Sequence, residues 1–354
     1  MNRLPFLDWT RGLAVVIMIE CHAFNSLVRL DARQSGFYVL SQFIGGMASV
    51  LFLFLAGVTF AFQMDSLDRR GAGNRHRAAA LLRRAAFVLA VAFLFRIANS
   101  PLSWDSLPWA AIFKVDILNC MGASMLLAVA AGFCGPRRRA QCAVLAGLAV
   151  ACAAPLVTAA DWSALPWPLR NYIVPDRRAF PLFPWSAYLA FGLAAGAVLR
   201  RLPPERTERS IQWAVLLGFG LLLGGQYFSS VPWSVYHNAD FWLDSPGLVI
   251  IRTGLVLLIL AAAYLWTEYV AGRGWSWMQT LGKTSLLVYW VHIVLVYGHA
   301  ADPFKKALSI PQAALATVIV TALMVLLAAA RLRWSARKRA AAPAPVPAVV
   351  LKSA

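Results

Sequence analysis

Long apolar segments recur along the whole chain and are separated by shorter polar or basic connections. Each segment has about 20 residues, the length that crosses about 30 Å of hydrocarbon when a helix rises 1.5 Å per residue. The segments lie near residues 4–27, 42–64, 81–98, 110–133, 140–158, 181–199, 211–228, 246–267, 277–298 and 310–331. The pattern predicts an all-α polytopic membrane bundle of about ten transmembrane helices.

Composition supports this interpretation, because 60% of the residues are hydrophobic and only 14% are charged, which excludes a soluble domain. The composition changes after Arg339, where Ala, Pro and Val follow one another without a periodic pattern. Such a segment has nothing to bury and is typical of disorder. The predicted organisation is a transmembrane domain over residues 1–335 and a disordered Ala/Pro-rich cytoplasmic tail over residues 336–354.

The net charge of +18 could indicate nucleic acid binding, and the distribution of the charge argues against it. Basic residues cluster on alternate connections between the predicted spans, at residues 69–84, 137–139, 200–209 and 331–339. This alternation is the positive-inside pattern of membrane proteins. It predicts a multi-pass membrane protein with both termini in the cytoplasm and no nucleic acid partner.

The cysteines indicate neither a disulfide framework nor a zinc site. They are odd in number and show no CxxC or Cys/His ligand spacing: Cys21, Cys120, Cys134, Cys142 and Cys152. No phosphate loop of the G-x-x-x-x-G-K-[ST] type occurs either. We therefore predict no metal site and no tightly bound cofactor, and we expect any chemistry to lie inside the helix bundle.

The first predicted span carries polar side chains that are costly in a membrane, at roughly 2.5 to 3.5 kcal/mol for each ionised residue near the bilayer centre. Most of them lie on one helix face, because the positions along it are three and four residues apart: Asp8, Arg11, Val15, Met18, His22 and Asn25. Glu20 lies about 200° around the helix from His22 and receives no assignment.

Each of these residues has two interpretations. Asp8 and Arg11 form either a structural ion pair or, through Arg11, a site for an anionic ligand. His22 is either a core histidine bonded to a neighbouring helix or a general base, since an imidazole titrates near neutral pH.

The ninth span supplies a second polar face, in which Ser285, Tyr289 and His292 are four and three residues apart. Lys283 lies nearer the cytoplasmic end, and His292 comes at about the depth of His22. The fourth span begins with Lys114, Asp116 and Asn119. These groups either cap the start of a helix or face the same cavity as the two histidines.

Several segments resemble a known family. They are RLPFLDWTRGLAVVIMI from Arg3, FLFLAGVTFAF from Phe52, KVDILNCMG from Lys114, FPLFPWSAYLAFGLAAG from Phe180 and LGKTSLLVYWVH from Leu281. In this order they resemble the bacterial relatives of the heparan-α-glucosaminide N-acetyltransferase catalytic-domain family, part of a wider superfamily of transmembrane acyltransferases. The resemblance covers about residues 3–298.

This resemblance implies transfer of an acyl group, most simply acetyl, from cytoplasmic acyl-CoA to an extracytoplasmic amino sugar or glycan hydroxyl. On this interpretation His22 deprotonates the acceptor or carries the acyl group, with His292 as the alternative histidine. Asn25 or Tyr289 then donates to the developing oxyanion. The remaining assignments are Asp8, Arg11, Arg83, Arg84 and Lys283 for the donor, and Lys114, Asp116 and Trp185 for the acceptor.

One departure from the family bears on the mechanism. In the lysosomal member, the histidine proposed to carry the acetyl group follows the first helix, whereas residues 23–40 here contain no histidine. His22 lies inside the helix instead, which favours direct transfer with His22 as base.

Two other classes of protein are kept as alternatives. A transporter or flippase would also keep charged side chains through the membrane, and a noncatalytic partner in envelope assembly would need no chemistry at all. Dependence on acyl-CoA separates the enzyme from both. The expected partners are acyl-CoA, the sugar acceptor and the lipid bilayer, and the sequence leaves a homodimer open.

Overall fold

The computed structural model describes residues 4–99, 109–231, 236, 239–272 and 274–340, and these residues fold into an all-α bundle. Its α-helices are α1 (Pro5–Leu27), α2 (Gly36–Arg69), α3 (Asn74–Ala98), α4 (Trp109–Ile112), α5 (Ile117–Ala128), α6 (Arg139–Ala159), α7 (Trp167–Ile173), α8 (Leu182–Leu199), α9 (Thr207–Ser230), α10 (Pro246–Leu265), α11 (Trp277–Lys283), α12 (Ser285–Tyr297) and α13 (Ile310–Ala340). A 3₁₀ turn over Val129–Gly132 continues α5, and a π-helical turn over Trp266–Val270 continues α10.

The predicted all-α polytopic membrane architecture is confirmed, but fewer helices meet a strict criterion for a membrane span than the ten predicted. In the described residues, α2, α3, α6, α8, α9, α10 and α13 are long and apolar enough, and α11 with α12 forms a broken eighth candidate. α1 is long enough but carries charged side chains, and Ile117–Gly132 is too short.

One predicted span is interrupted, and one helix continues beyond a predicted boundary. The predicted span 110–133 is interrupted, because Asp116 caps a new helix by accepting hydrogen bonds from the Leu118 and Asn119 amides at 3.0 Å. At the other end of the chain, α13 continues to Ala340, beyond the predicted boundary at 335. Residues 341–354 of the predicted tail lie outside the described residues.

Ion pairs define one end of the bundle, here called the basic end. Asp65 bonds Arg200 at 3.1 Å, and Asp68 bonds both Arg77 at 2.8 Å and Arg139 at 2.9 Å. These contacts join the connections α2–α3, α5–α6 and α8–α9. The positive-inside rule predicts that the basic end faces the cytoplasm.

The opposite end joins other connections. Arg96 at the end of α3 pairs with Asp116 before α5 at 3.3 Å. The amide of Leu308, shortly before α13, donates to the Leu27 carbonyl at the end of α1 at 3.0 Å. α1 therefore begins, and α13 ends, at the basic end, as the prediction of both termini on one side requires.

α1 is central to the bundle, since it packs against α2, α10, α11, α12 and α13. Two glycines allow α11 to touch its backbone. A Cβ on Gly12 would lie 1.9 Å from the Met278 carbonyl oxygen, and one on Gly282 would lie 1.9 Å from the Asp8 carbonyl oxygen. Such close contact through small residues is typical of membrane helix packing.

The chain bends by 92° between α11 and α12, at Thr284. α11 therefore lies against the start of α1, while α12 follows α1 toward the opposite end. Ser26 fixes this arrangement by donating a hydrogen bond to the Val296 carbonyl at 2.8 Å. The bend places the first residues of α12 in the middle of the bundle.

Candidate active site

A cavity of about 810 Å³ lies between α1, α2, α3, α5, α12 and α13. It extends from Arg331 and Ser335, near the basic end, to Ile117 and Tyr289, nearer the opposite end. Its apolar wall comes from Phe52, Ala56, Phe87, Val88, Val91, Leu118, Met121 and Met125. The volume falls within the range of about 300–1,000 Å³ that is usual for small-molecule sites.

Four cationic side chains line this cavity: Arg11, Arg84, Lys283 and Arg331. Arg11 pairs with Asp8 at 3.2 Å, which agrees with the structural interpretation of that pair. Arg11 nevertheless lines the cavity. Arg84 donates to the Thr59 hydroxyl at 3.0 Å and to the side-chain Oε1 of Gln63 at 3.2 Å. These two bonds orient the guanidinium without neutralising it.

The charge on the cavity wall differs from the charge on the connecting loops. Arg77, Arg139 and Arg200 each pair with an aspartate. Asp65 pairs with Arg69 as well, so two carboxylates partly compensate four arginines. In the described part of the chain, no carboxylate lies within 4.0 Å of Arg84, Lys283 or Arg331. The cavity therefore carries positive charge suited to a ligand with several negative charges.

The break in the ninth span adds to this character. Ser285, Leu286 and Leu287 form the first turn of α12 and border the cavity. Thr284, at the N-cap, makes no side-chain hydrogen bond to the start of α12, so the first backbone amides of the helix remain available as donors. Helix N-termini favour anions through such amides and through the helix dipole.

Beyond the cavity, two histidines meet. The His22 Nδ1 lies 2.9 Å from the His292 Nε2, and the rings are nearly parallel. The His292 Nδ1 lies 2.8 Å from the Val288 carbonyl oxygen one turn earlier on α12. His292 is fully buried, whereas His22 is half-buried. The two histidines, which the sequence predicts at similar depth, are thus in hydrogen-bond contact.

Tyr289 connects the histidine pair to the cavity. Its side chain lines the cavity, and its ring centroid lies 5.9 Å from that of His292. Phe95 packs on the other side of Tyr289 at a centroid distance of 5.1 Å. A ligand that fills the cavity thus reaches Tyr289 next to the two imidazoles.

Several predicted donor and catalytic residues lie elsewhere. Arg83, next to Arg84 on α3, is exposed and does not line the cavity. Asn25 is also exposed, and its backbone carbonyl accepts a hydrogen bond from Arg33 at 2.7 Å.

The residues predicted for the acceptor are dispersed. Lys114 is exposed. Asp116 is buried in the helix cap and in its ion pair with Arg96, so the capping interpretation is confirmed. Trp185 packs against Phe180 at a centroid distance of 4.8 Å, and the Arg252 guanidinium lies 5.8 Å from its ring.

Arg331 and Ser335 belong to the cavity wall, although the sequence predicts no binding role for them. Arg331 and Ser335 are four residues apart on α13, and Arg331 donates to the Ser335 hydroxyl at 2.9 Å. From the sequence, Arg331 is one of the basic residues that predict the topology. The spacing of four residues was visible in the sequence, but the packing of α13 beside α11 and α12 was not.

Residues 3–228, well over half of the chain, match the family described as heparan-alpha-glucosaminide N-acetyltransferase, catalytic. No curated protein matches the chain. The chain therefore belongs to this family, a family of membrane acetyltransferases, and the resemblance found in the sequence is confirmed. His22, Arg11 and Arg84 lie inside the matched region, whereas His292 and Arg331 lie beyond it.

Proposed function

We propose that this family member transfers an acetyl group from acetyl-CoA, or another acyl-CoA, to an amino sugar or sugar hydroxyl on the far side of a bacterial cytoplasmic membrane. One observation carries the proposal. A cavity lined by Arg84, Lys283 and Arg331, which have no carboxylate partner among the described residues, extends from the basic end to Tyr289, beside the paired His22 and His292. The cavity would therefore bind an anionic donor next to the part of the bundle that holds the reactive imidazole.

The proposed position of the donor follows from the charge and the length of the donor molecule. Arg11, Arg84, Lys283 and Arg331 would hold the phosphates by charge-assisted hydrogen bonds. Arg11 and His22 are 11 residues apart on α1, which corresponds to about 16 Å along the helix axis. A donor anchored by phosphates near Arg11 must therefore present its acyl group on a long arm. The pantetheine arm of acyl-CoA has this character, and the apolar wall would accommodate it.

The chemistry follows from the groups at the end of the cavity. The acceptor nitrogen or oxygen attacks the thioester carbonyl while His22 removes its proton. The carbon–sulfur bond then breaks, and the coenzyme A thiolate takes the proton from His22, so that the imidazole is regenerated. Tyr289 would donate a hydrogen bond to the carbonyl oxygen as its negative charge develops. Oxyanion donors of this kind contribute about 3 to 4 kcal/mol where they have been removed.

The direct test uses purified protein in lipid nanodiscs with radiolabelled acetyl-CoA and glucosamine as the probe acceptor. Free coenzyme A, labelled sugar and label on the protein are measured for wild type, His22→Ala and the control His76→Ala, which changes an exposed histidine on α3. We expect turnover in wild type and in the control, and a loss of about 10² to 10⁴-fold in His22→Ala.

The other outcomes decide between the alternatives. Full turnover by folded His22→Ala would contradict the role of His22, and label retained on wild-type protein would replace direct transfer by an acyl-histidine intermediate. If acetyl-CoA neither binds nor reacts, the enzyme proposal is wrong, and a transporter becomes the better interpretation of the charged cavity.

A further inference from the structure

We infer that His292 is a positioning residue, which holds His22 in the tautomer whose Nε2 is free to accept a proton. This inference rests on the proposed acetyl transfer and assigns different roles to the two histidines. The sequence leaves open which of them meets the substrate. The hydrogen bonds of the pair decide between them.

The first step concerns His292. A backbone carbonyl has no hydrogen to donate, so the bond between the Val288 oxygen and the His292 Nδ1 requires the hydrogen on Nδ1. His292 is 0% exposed, and its ring lies among helices without a carboxylate bonded to it in the described residues. Such surroundings favour the neutral imidazole. The His292 Nε2 then carries a lone pair and acts as an acceptor.

The second step concerns His22. Its Nδ1 lies 2.9 Å from the His292 Nε2, so it must supply the hydrogen of this bond. In the neutral form of His22, the other nitrogen, Nε2, then has no hydrogen. Nothing among the described residues forms a hydrogen bond to that nitrogen, and the side chain is half-buried rather than enclosed.

The two histidines therefore cannot exchange roles. Both ring nitrogens of His292 are engaged, one by Val288 and one by His22. Only the His22 Nε2 is free to take a proton from an acceptor. When it does so, the positive charge on His22 is stabilised through the Nδ1–H bond to His292. In hydrolases, a buried carboxylate orients and stabilises a catalytic histidine in the corresponding way.

The surrounding packing supports a fixed orientation of the pair. One turn beyond the histidines, Ser26 bonds the Val296 carbonyl and ties α1 to α12. The Tyr297 ring packs edge-on against His22 at a centroid distance of 5.7 Å. Tyr289 packs edge-on against His292 from the cavity side.

A purely structural role would make the histidine pair a tie between α1 and α12, and a matched control separates the two roles. Ser26→Ala removes a neighbouring bond between the same helices without touching an imidazole. His292→Phe removes the acceptor and keeps a ring, while His292→Gln can restore an acceptor oxygen. Each variant is assayed in nanodiscs for kcat, for the KM of acetyl-CoA, and for thermal unfolding.

We expect kcat of His292→Phe to fall by about 10² to 10⁴-fold, the range of a misplaced general base. The KM of acetyl-CoA should stay within about twofold, because His292 does not line the cavity. His292→Gln should recover part of kcat, and Ser26→Ala should keep kcat even if its unfolding temperature falls. Wild-type kcat in His292→Phe, or an equal loss in Ser26→Ala, would overturn the inference.

A second measurement does not depend on whether a His292 variant folds. Nitrogen-15 NMR of labelled histidine in nanodiscs, with His76, His237 and His299 replaced to simplify the spectrum, reports which ring nitrogens carry hydrogen. We expect His22 to show a protonated Nδ1 and an unprotonated Nε2. The opposite tautomer would refute the inference even in an active enzyme, whereas wild type without donor turnover would refute the proposed function instead.

Discussion

Arg84 and Arg83 offer a test in which charge, helix and sequence neighbourhood are matched. Both are arginines on α3, but only Arg84 lines the cavity, where Thr59 and Gln63 hold its guanidinium. Arg83 is exposed. If Arg84 binds donor phosphate, Arg84→Ala should weaken the use of acetyl-CoA and Arg83→Ala should not.

The magnitude follows from the environment of Arg84. It is half-buried, and no carboxylate among the described residues competes for it. A hydrogen bond to a charged partner contributes about 1.5–3 kcal/mol. Since every 1.4 kcal/mol corresponds to about tenfold in affinity, the KM of acetyl-CoA should rise by about 10- to 150-fold. The value of kcat should change little, because Arg84 does not contact the histidine pair.

The assay compares acetyl-CoA with a short acetyl thioester of cysteamine, which has the reacting group but no phosphate. For Arg84→Ala, the KM should rise for acetyl-CoA alone, and Arg84→Lys should recover part of the loss. An equal rise for both donors would mean that Arg84 supports the fold rather than the phosphates. An equal effect of Arg83→Ala would mean that general positive charge, not the cavity, attracts the donor.

Two further substitutions test how the bundle places this site. Gly282→Ala inserts a Cβ 1.9 Å from the Asp8 carbonyl oxygen and must separate α11 from α1, so we expect a loss of about 1–3 kcal/mol and a lower unfolding temperature in detergent. Gly220→Ala, with no atom within 4 Å of its new Cβ, should be neutral, and equal effects would contradict the close packing. Asp116→Ala should destabilise the protein more than Asp116→Asn. Asn still caps the helix and loses only the charge opposite Arg96, whereas Ala also loses the cap, which contributes about 1 kcal/mol. The same thermal assay measures both, and equal stability of the two variants would show that the cap contributes nothing.

Helical periodicity predicted the depth of the polar residues better than the course of the chain. His22 and His292 are 270 residues apart, yet counting residues along two spans placed them at one level, where they are in contact. This prediction works because helix rise is nearly constant and both helices run from the same end. The bend at Thr284 was not predictable in this way, because the apolar segment runs through it without a proline. The close backbone contact between α11 and α1 at Gly12 and Gly282 is tertiary as well, and periodicity along one helix does not reveal it.

The cavity illustrates the other limit of sequence reasoning. The sequence predicts Arg11, Arg84 and Lys283 as donor residues, and all three line the cavity, but it predicts Arg83 on the same grounds. A basic side chain at the end of a span has the same appearance whether it faces a ligand, lipid headgroups or an aspartate. Only the rotation of each helix, which depends on its neighbours, separates these cases.

The pairing of charges at the basic end separates orientation from binding in physical terms. The aspartates Asp65 and Asp68 pair with arginines on three connections and thereby tie the helix ends together. An arginine paired in this way attracts a free anion less strongly, because part of its field is compensated at short range. Arg84 and Arg331 have no such partner in the described residues, so their field extends into the cavity. The same excess of positive charge that predicts a cytoplasmic basic end would thus also draw a cytoplasmic polyanion into the bundle, and the donor and the topology are expected to agree in direction.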